Sequence, residues 1–254
     1  MISVPDAAFL IVAGVVAGLV GTAGGITSLV SYPALLAVGV PVLAANVANI
    51  VAIVTCWPGS ALASRPELRG RGRWLQRWTL VAALGGAAGA ALLLVTPPGV
   101  FNRVVPFLVA LGALALLFQP RLAARHARAA GADGRRGLIL PTGVLSLSLY
   151  NGYFGAGSGV MTLALLMVTV DDHLPRANAL KNMVIGAGTV ASSAALIVFG
   201  SVDWSAVVPL GVGLFAGGTL GPIVARRFPA RLLRWLVALL GLGLAVELAL
   251  HNGV

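Results

Sequence analysis

The sequence predicts an all-α polytopic membrane protein. Only 9% of its 254 residues are charged and 59% are hydrophobic, where a soluble domain averages about 25% and 45–50%. The mean hydropathy is +0.99. The apolar stretches are long and nearly free of charge, as a bilayer core requires of any segment that crosses it.

The net charge of +10 does not indicate nucleic acid as a partner. Of the 17 basic residues, 16 are Arg and one is Lys181. They fall in short bursts between apolar runs, the pattern of loops beside a membrane. A nucleic-acid surface would lay them along one face with aromatics. The partners expected are instead the lipid bilayer and a small anionic substrate, and a homo-oligomer is open. The lone Cys56 makes no internal disulfide and has no ligand cluster around it, so it reads as a small apolar residue. The N-terminal stretch has Asp6 and no basic region, which argues against a cleaved signal peptide. No cofactor and no metal site are expected, because no metal-ligand spacing or catalytic constellation occurs.

In chain order, apolar runs occupy 7–20, 26–38, 41–63, 75–95, 100–118, 137–150, 159–170, 175–199, 204–225 and 230–250. Six approach or reach the roughly 20 residues that span a bilayer. Four are short, at 7–20, 26–38, 137–150 and 159–170, a length typical of re-entrant or half-helices. They form two pairs, each split by a glycine cluster: Gly21, Gly24 and Gly25 around Thr22, and Gly155, Gly157 and Gly159 around Ser158.

The pairing signals an internal repeat. Gly18, Gly21 and Gly25 recur 134 positions later as Gly152, Gly155 and Gly159, and Pro41 recurs as Pro175. Asn49 recurs as Asn182 after a one-residue shift. Gly85, Gly86 and Gly89 recur as Gly217, Gly218 and Gly221. The expected organisation is one membrane domain, 1–254. A first repeat covers 5–118, a polar Arg-rich connector 119–136, and a second repeat 137–250. Each repeat is a glycine-split hairpin of short helices followed by three transmembrane helices.

Orientation follows from the arginines. Five (65, 69, 71, 73 and 77) follow the third run, five (121, 125, 128, 135 and 136) lie in the connector and four (226, 227, 231 and 234) precede the last run. These 14 oppose one, Arg103, on the other side. The Arg-rich loops are therefore expected in the cytoplasm, with both termini outside. The run 41–63 then crosses inward and its equivalent 175–199 crosses outward. That makes the halves inverted-topology repeats, as in many secondary transporters.

In such a plan the substrate site lies near the midplane, where broken helices meet. The glycine clusters are the candidates. Helices beginning near Gly25 and Gly159 would aim their positive ends inward and favour an anion, with Thr22, Thr27, Ser28 and Ser158 adding hydroxyls. Gly85, Gly89, Gly217 and Gly221 read as close-packing positions. Lys181 has two readings: a cation facing the substrate, because charge inside a membrane segment is costly and rare, or a lysine snorkelling to the cytoplasmic interface. Asn49 and Asn182 either bind substrate oxygens or hold helices together, and Asn46 and Asn178 lean to the second role. Asp171, Asp172 and His173 read as a solvated helix cap, with a proton relay as the alternative.

The stretch from Gly18 through Gly21, Gly24 and Gly25, followed by Tyr32-Pro33 and Pro41 to Asn49, resembles the sulfite exporter TauE/SafE family. So does its partner from Gly152 through Gly155, Gly157 and Gly159, with Pro175 to Asn182. The segments around Trp74, Gly85-Gly86, Asp203-Trp204 and Gly217-Gly218 fit it too, and the similarity covers about 7–250. The resemblance implies a permease of the bacterial inner membrane for sulfite, sulfonates, thiosulfate or related small anions. Such a permease is expected to be a secondary carrier coupled to the proton or the membrane potential. Unusually Arg-rich loops set this chain apart. An uptake carrier or channel for another small anion is the alternative; a membrane-embedded enzyme lacks the His, Asp or Glu cluster it would need.

Overall fold

The computed structural model describes residues 2–129 and 136–225, with Val246 and Leu250. The expected last segment, 230–250 apart from Val246 and Leu250, and Arg135, Arg226, Arg227, Arg231 and Arg234 lie outside the described residues. Among the described residues all regular structure is helical, and five helices are long and apolar enough to cross a membrane.

The first helix, α1 (Val4–Gly24), starts at a reciprocal cap in which Ser3 Oγ accepts from the Asp6 N–H and donates to the Asp6 carboxylate. The hairpin continues with α2 (Ser28–Ala37). Next come α3 (Val42–Ile53), α4 (Cys56–Ala63), the single turn α5 (Arg65–Leu68), α6 (Gly72–Val95) and α7 (Pro98–Ala129). Then follow α8 (Arg136–Tyr153), α9 (Ser158–Thr169), α10 (Leu174–Phe199) and α11 (Trp204–Ala225).

Three expectations are corrected. The run at 7–20 is not a short helix, since α1 has 21 residues and does not end until Gly25 turns to φ +83°. Gly14, Gly18 and Gly21 sit inside it. Likewise 137–150 becomes an 18-residue α8 that stops before Gly155, also at φ +83°. Only the second members, α2 and α9, stay short, at 10 and 12 residues. Next, the run 41–63 breaks at Val54–Thr55. Pro58 has no N–H for the Val54 carbonyl and its ring crowds that carbonyl, which disrupts the ladder one turn upstream. Thr55 Oγ1 lies 2.8 Å from both Ala52 O and Gly211 O and ties the break to α11. The equivalent α10 has its proline in the first turn and runs unbroken for 26 residues. Finally, the connector 119–136 is not a loop over its first part: α7 continues to Ala129, through Arg, Leu and Ala, all good helix formers.

The polarity of the molecule is inside out. Leu80 and Leu84 on α6, Phe107 and Leu111 on α7, and Val208, Val212 and Phe215 on α11 are exposed, while Asn46, Asn49, Asn178, Lys181, Asn182, Ser192 and Ser193 are buried. That suits a protein whose solvent is lipid.

Glycine sets the helix spacing. A Cβ on Gly14 of α1 would lie 2.5 Å from Leu210 O of α11, and one on Gly217 of α11 would lie 2.0 Å from Val15 O of α1. Between α6 and α8, a Cβ on Gly89 would lie 2.1 Å from Leu149 O, and one on Gly152 would lie 2.1 Å from Gly86 O. These are the close small-residue contacts of membrane helices. The pattern is reciprocal. The first helix of each half packs on α6 or α11 of the other, and α3–α4 lie on α11 as α10 lies on α6.

Candidate functional site

The two glycine clusters meet. A Cβ on Gly25 would lie 2.4 Å from the carbonyl carbon of Gly159, and one on Gly159 would lie 2.5 Å from Gly25 Cα. The backbones of the two split hairpins therefore touch, which only glycine allows at this separation. Beside this contact is a cavity of about 60 Å³, room for a small ion or a few waters. Its lining comes from the end of α1, the start of α2, Ile53 at the end of α3, α4, Asn151 of α8 with the turn into α9, and the middle of α10.

Of the residues singled out from sequence, Gly21, Thr22, Gly25, Gly155, Ser158, Gly159, Lys181 and Asn182 line this cavity, as do Thr27 and Ser28. Three do not. Gly24 faces open space, with nothing within 4 Å of a Cβ built on it. Gly157 is at φ +73° and packs on Gly112 of α7. Asn49 is buried, and its Oδ1 accepts from the Ser31 hydroxyl. Cys56, Trp57, Ser60, Asn151, Gly186 and Thr189 also line the cavity, and none was expected there. Asn151 had a signal: a polar residue at the end of an apolar run, next to a glycine cluster.

Lys181 is 1% exposed, so it does not snorkel. It sits seven residues into α10, about 10 Å from the helix start. Its Nζ donates to Gly21 O at 3.3 Å. Asn178 and Asn182 both donate to Thr22 O, at 2.9 and 3.1 Å. All three side chains thus meet the carbonyl end of α1, where the helix dipole is negative; Gly21 O also accepts from the Gly25 N–H. The other half does the same with one asparagine: Asn46 Nδ2 donates to Tyr153 O, at the end of α8, at 2.9 Å. Each half's third helix caps the first helix of the other.

Of the hydroxyls expected to face a substrate, those of Thr22 and Ser158 are committed, and so is that of Thr189. Thr22 donates to Gly18 O (2.7 Å), Ser158 to Asn151 Oδ1 (2.8 Å) and Thr189 to Ile185 O (2.9 Å); Thr189 also accepts from Asn151 Nδ2 (3.0 Å). The starts of α2 and α9 border the cavity; there the Leu29 N–H bonds Ile26 O, the Val30 N–H bonds Thr27 O and the Ser158 N–H bonds Gly155 O. Among the described residues no Asp or Glu lines it. Two helix starts and the Lys181 amino group therefore border a cavity with no carboxylate among the described residues.

Of the turn 171–173, Asp172 and His173 are exposed, as a solvated cap would be, but Asp171 is not. Its side chain is 7% exposed and bonds Arg71 Nη2 at 2.8 Å, with Arg176 Nη1 at 3.9 Å. Its Oδ1 accepts from the His173 N–H. The Arg-rich loop before α6 is thereby fastened to the start of α10.

Comparison with known proteins agrees with this architecture. The family described as sulfite exporter TauE/SafE matches residues 7–248. A probable membrane transporter protein, ORF9, from Sinorhizobium sp is 26% identical over 248 residues, spanning 95% of this chain and 91% of the relative. A probable membrane transporter protein from Haemophilus influenzae is 26% identical over 250 residues, spanning 97% and 95%. No solved structure matches the chain. With the match running from α1 to beyond α11, the chain belongs to the sulfite exporter TauE/SafE family of membrane transporters.

Proposed function

We propose that the protein is a secondary carrier of a small anion, a sulfur oxyanion or organosulfonate such as sulfite, and that it works by alternating access in the bacterial inner membrane. The observation that carries this reading is Lys181, fully buried beside a cavity that no carboxylate among the described residues lines. An ammonium in that position is a functional group by default, and an anion in the cavity would replace its missing counter-charge.

The starts of α2 and α9 support the same reading, because helix N-termini stabilise negative charge. The reciprocal packing and capping of the halves support an inverted repeat, with the site between them and the halves rocking about it. The Arg-rich loops then lie in the cytoplasm and both termini outside. Proton coupling is part of the proposal.

The test is uptake into proteoliposomes of sulfite, thiosulfate, a sulfonate, sulfate and chloride at two internal pH values. Selective flux of a sulfur oxyanion that follows the pH gradient is the expected result. Steady flux set by voltage alone would make the protein a channel, and no flux of any of these anions would end the anion reading.

A further inference from the structure

We infer that the indole N–H of Trp57 and the hydroxyl of Ser60 are a second set of substrate donors, which bind oxygen atoms of a polyatomic oxyanion held by Lys181. The inference rests on the anion reading above. It adds the residues that distinguish an oxyanion from a monatomic anion.

Trp57 Nε1 and Ser60 Oγ are both buried and have no hydrogen-bond partner, and both residues line the cavity. Ser60 is 1% exposed. A buried donor left unpaired is costly, and natural proteins leave few of them. Here two occur three residues apart, on one face of α4. A bound ligand would satisfy both.

Three other hydroxyls at the cavity, those of Thr22, Ser158 and Thr189, donate to protein acceptors and cannot take this part without rearrangement; those of Thr27 and Ser28 line it from the start of α2. The start of α4 is also spoken for on its far side, with Cys56 Sγ donating to Leu214 O at 3.2 Å and Thr55 Oγ1 2.8 Å from Gly211 O. These contacts hold the break against α11 and leave Trp57 and Ser60 to the cavity.

The indole is positioned by a glycine. A Cβ on Gly186 would lie 1.9 Å from Trp57 Cδ1 and 2.4 Å from Nε1. The N–H edge of the ring therefore rests on the α10 backbone, about one helical turn beyond Lys181 and Asn182. Ammonium and indole N–H are donors only. A ligand that satisfies donors on both α10 and α4 needs several acceptor atoms, as a sulfur oxyanion has and a halide has not.

The experiment measures KM and maximal rate for thiosulfate uptake into proteoliposomes, and the inhibition of that uptake by chloride, for the wild type, Trp57→Phe, Ser60→Ala and Lys181→Met. Trp57→Phe keeps the ring and removes the N–H; Ser60→Ala removes only the hydroxyl. Each is expected to raise the thiosulfate KM about tenfold, the size of a lost hydrogen bond to a charged ligand. The maximal rate and the chloride inhibition should stay close to wild type. Unchanged thiosulfate KM in both variants, with Lys181→Met inactive, would overturn the inference and leave the anion reading standing. No wild-type flux of any anion would remove both.

Discussion

A lysine in a bilayer segment must either reach the interface or find partners at depth. Lys181 takes the second course: its only described hydrogen bond is to a backbone carbonyl, Gly21 O, and no carboxylate among the described residues joins it at the cavity. Lys181→Met keeps a long unbranched side chain and removes the amino group. It is expected to lower anion uptake tenfold or more, about the value of a hydrogen bond to a charged group, while the purified protein still elutes as wild type on gel filtration. The glycines separate in the same way. Gly25→Ala puts a side chain at φ +83° and a Cβ 2.4 Å from Gly159, so its melting temperature should fall by about 5 °C or more. Gly24→Ala meets nothing within 4 Å and should melt within about 2 °C of wild type. Lys181 was legible in the sequence because a charge in an apolar run stands out against its insertion cost. Trp57 and Ser60 were not: an indole and a hydroxyl in an apolar run are ordinary, and only the three-dimensional tally of spent and unspent donors separates them from their neighbours. For the same reason Gly24 could not be told from Gly25 by composition.

At the scale of elements, the halves are held together by helix ends. Asn178 caps the carbonyl end of α1 and Asn46 that of α8. Asn46→Ala and Asn178→Ala should each cost about 0.6–1.7 kcal/mol, the range for side-chain hydrogen bonds between membrane helices. The two caps lie on different helix pairs and share no partner, so the double variant should show the sum within about 0.5 kcal/mol in thermal unfolding. The glycine pattern marked both hairpins but misjudged α1 and α8. Gly14 and Gly18 do not interrupt α1, because a helix packed this closely on α11 needs them; glycine inside a membrane helix is as much a packing residue as a breaker. The break between α3 and α4 had its signal in Pro58, masked by a hydropathy that stays high on both sides.

At the scale of the molecule, one hydrophobicity pattern and one charge pattern carry the architecture, and both are properties of composition over tens of residues. The exposed apolar faces of α6, α7 and α11 follow from the first. The orientation proposed above rests on the second and has its own test. In a Cys56→Ala background, Gly72→Cys lies at the start of α6 in the Arg-rich region and Gly99→Cys in the first turn of α7, both at open positions. In oriented inner-membrane vesicles, a membrane-impermeant thiol reagent should reach Gly72→Cys from the cytoplasmic face and Gly99→Cys from the opposite face. Labelling of both from one face would break the inverted-repeat account.

The central claim is that one anion site lies where the two split hairpins meet, with Lys181 as its charge. Equilibrium binding of radiolabelled thiosulfate to purified protein tests this most directly, in the wild type and Lys181→Met. Saturable binding to the wild type, lost or weakened at least tenfold in Lys181→Met, is the predicted result. Equal binding by the two proteins would place the anion elsewhere and contradict the account.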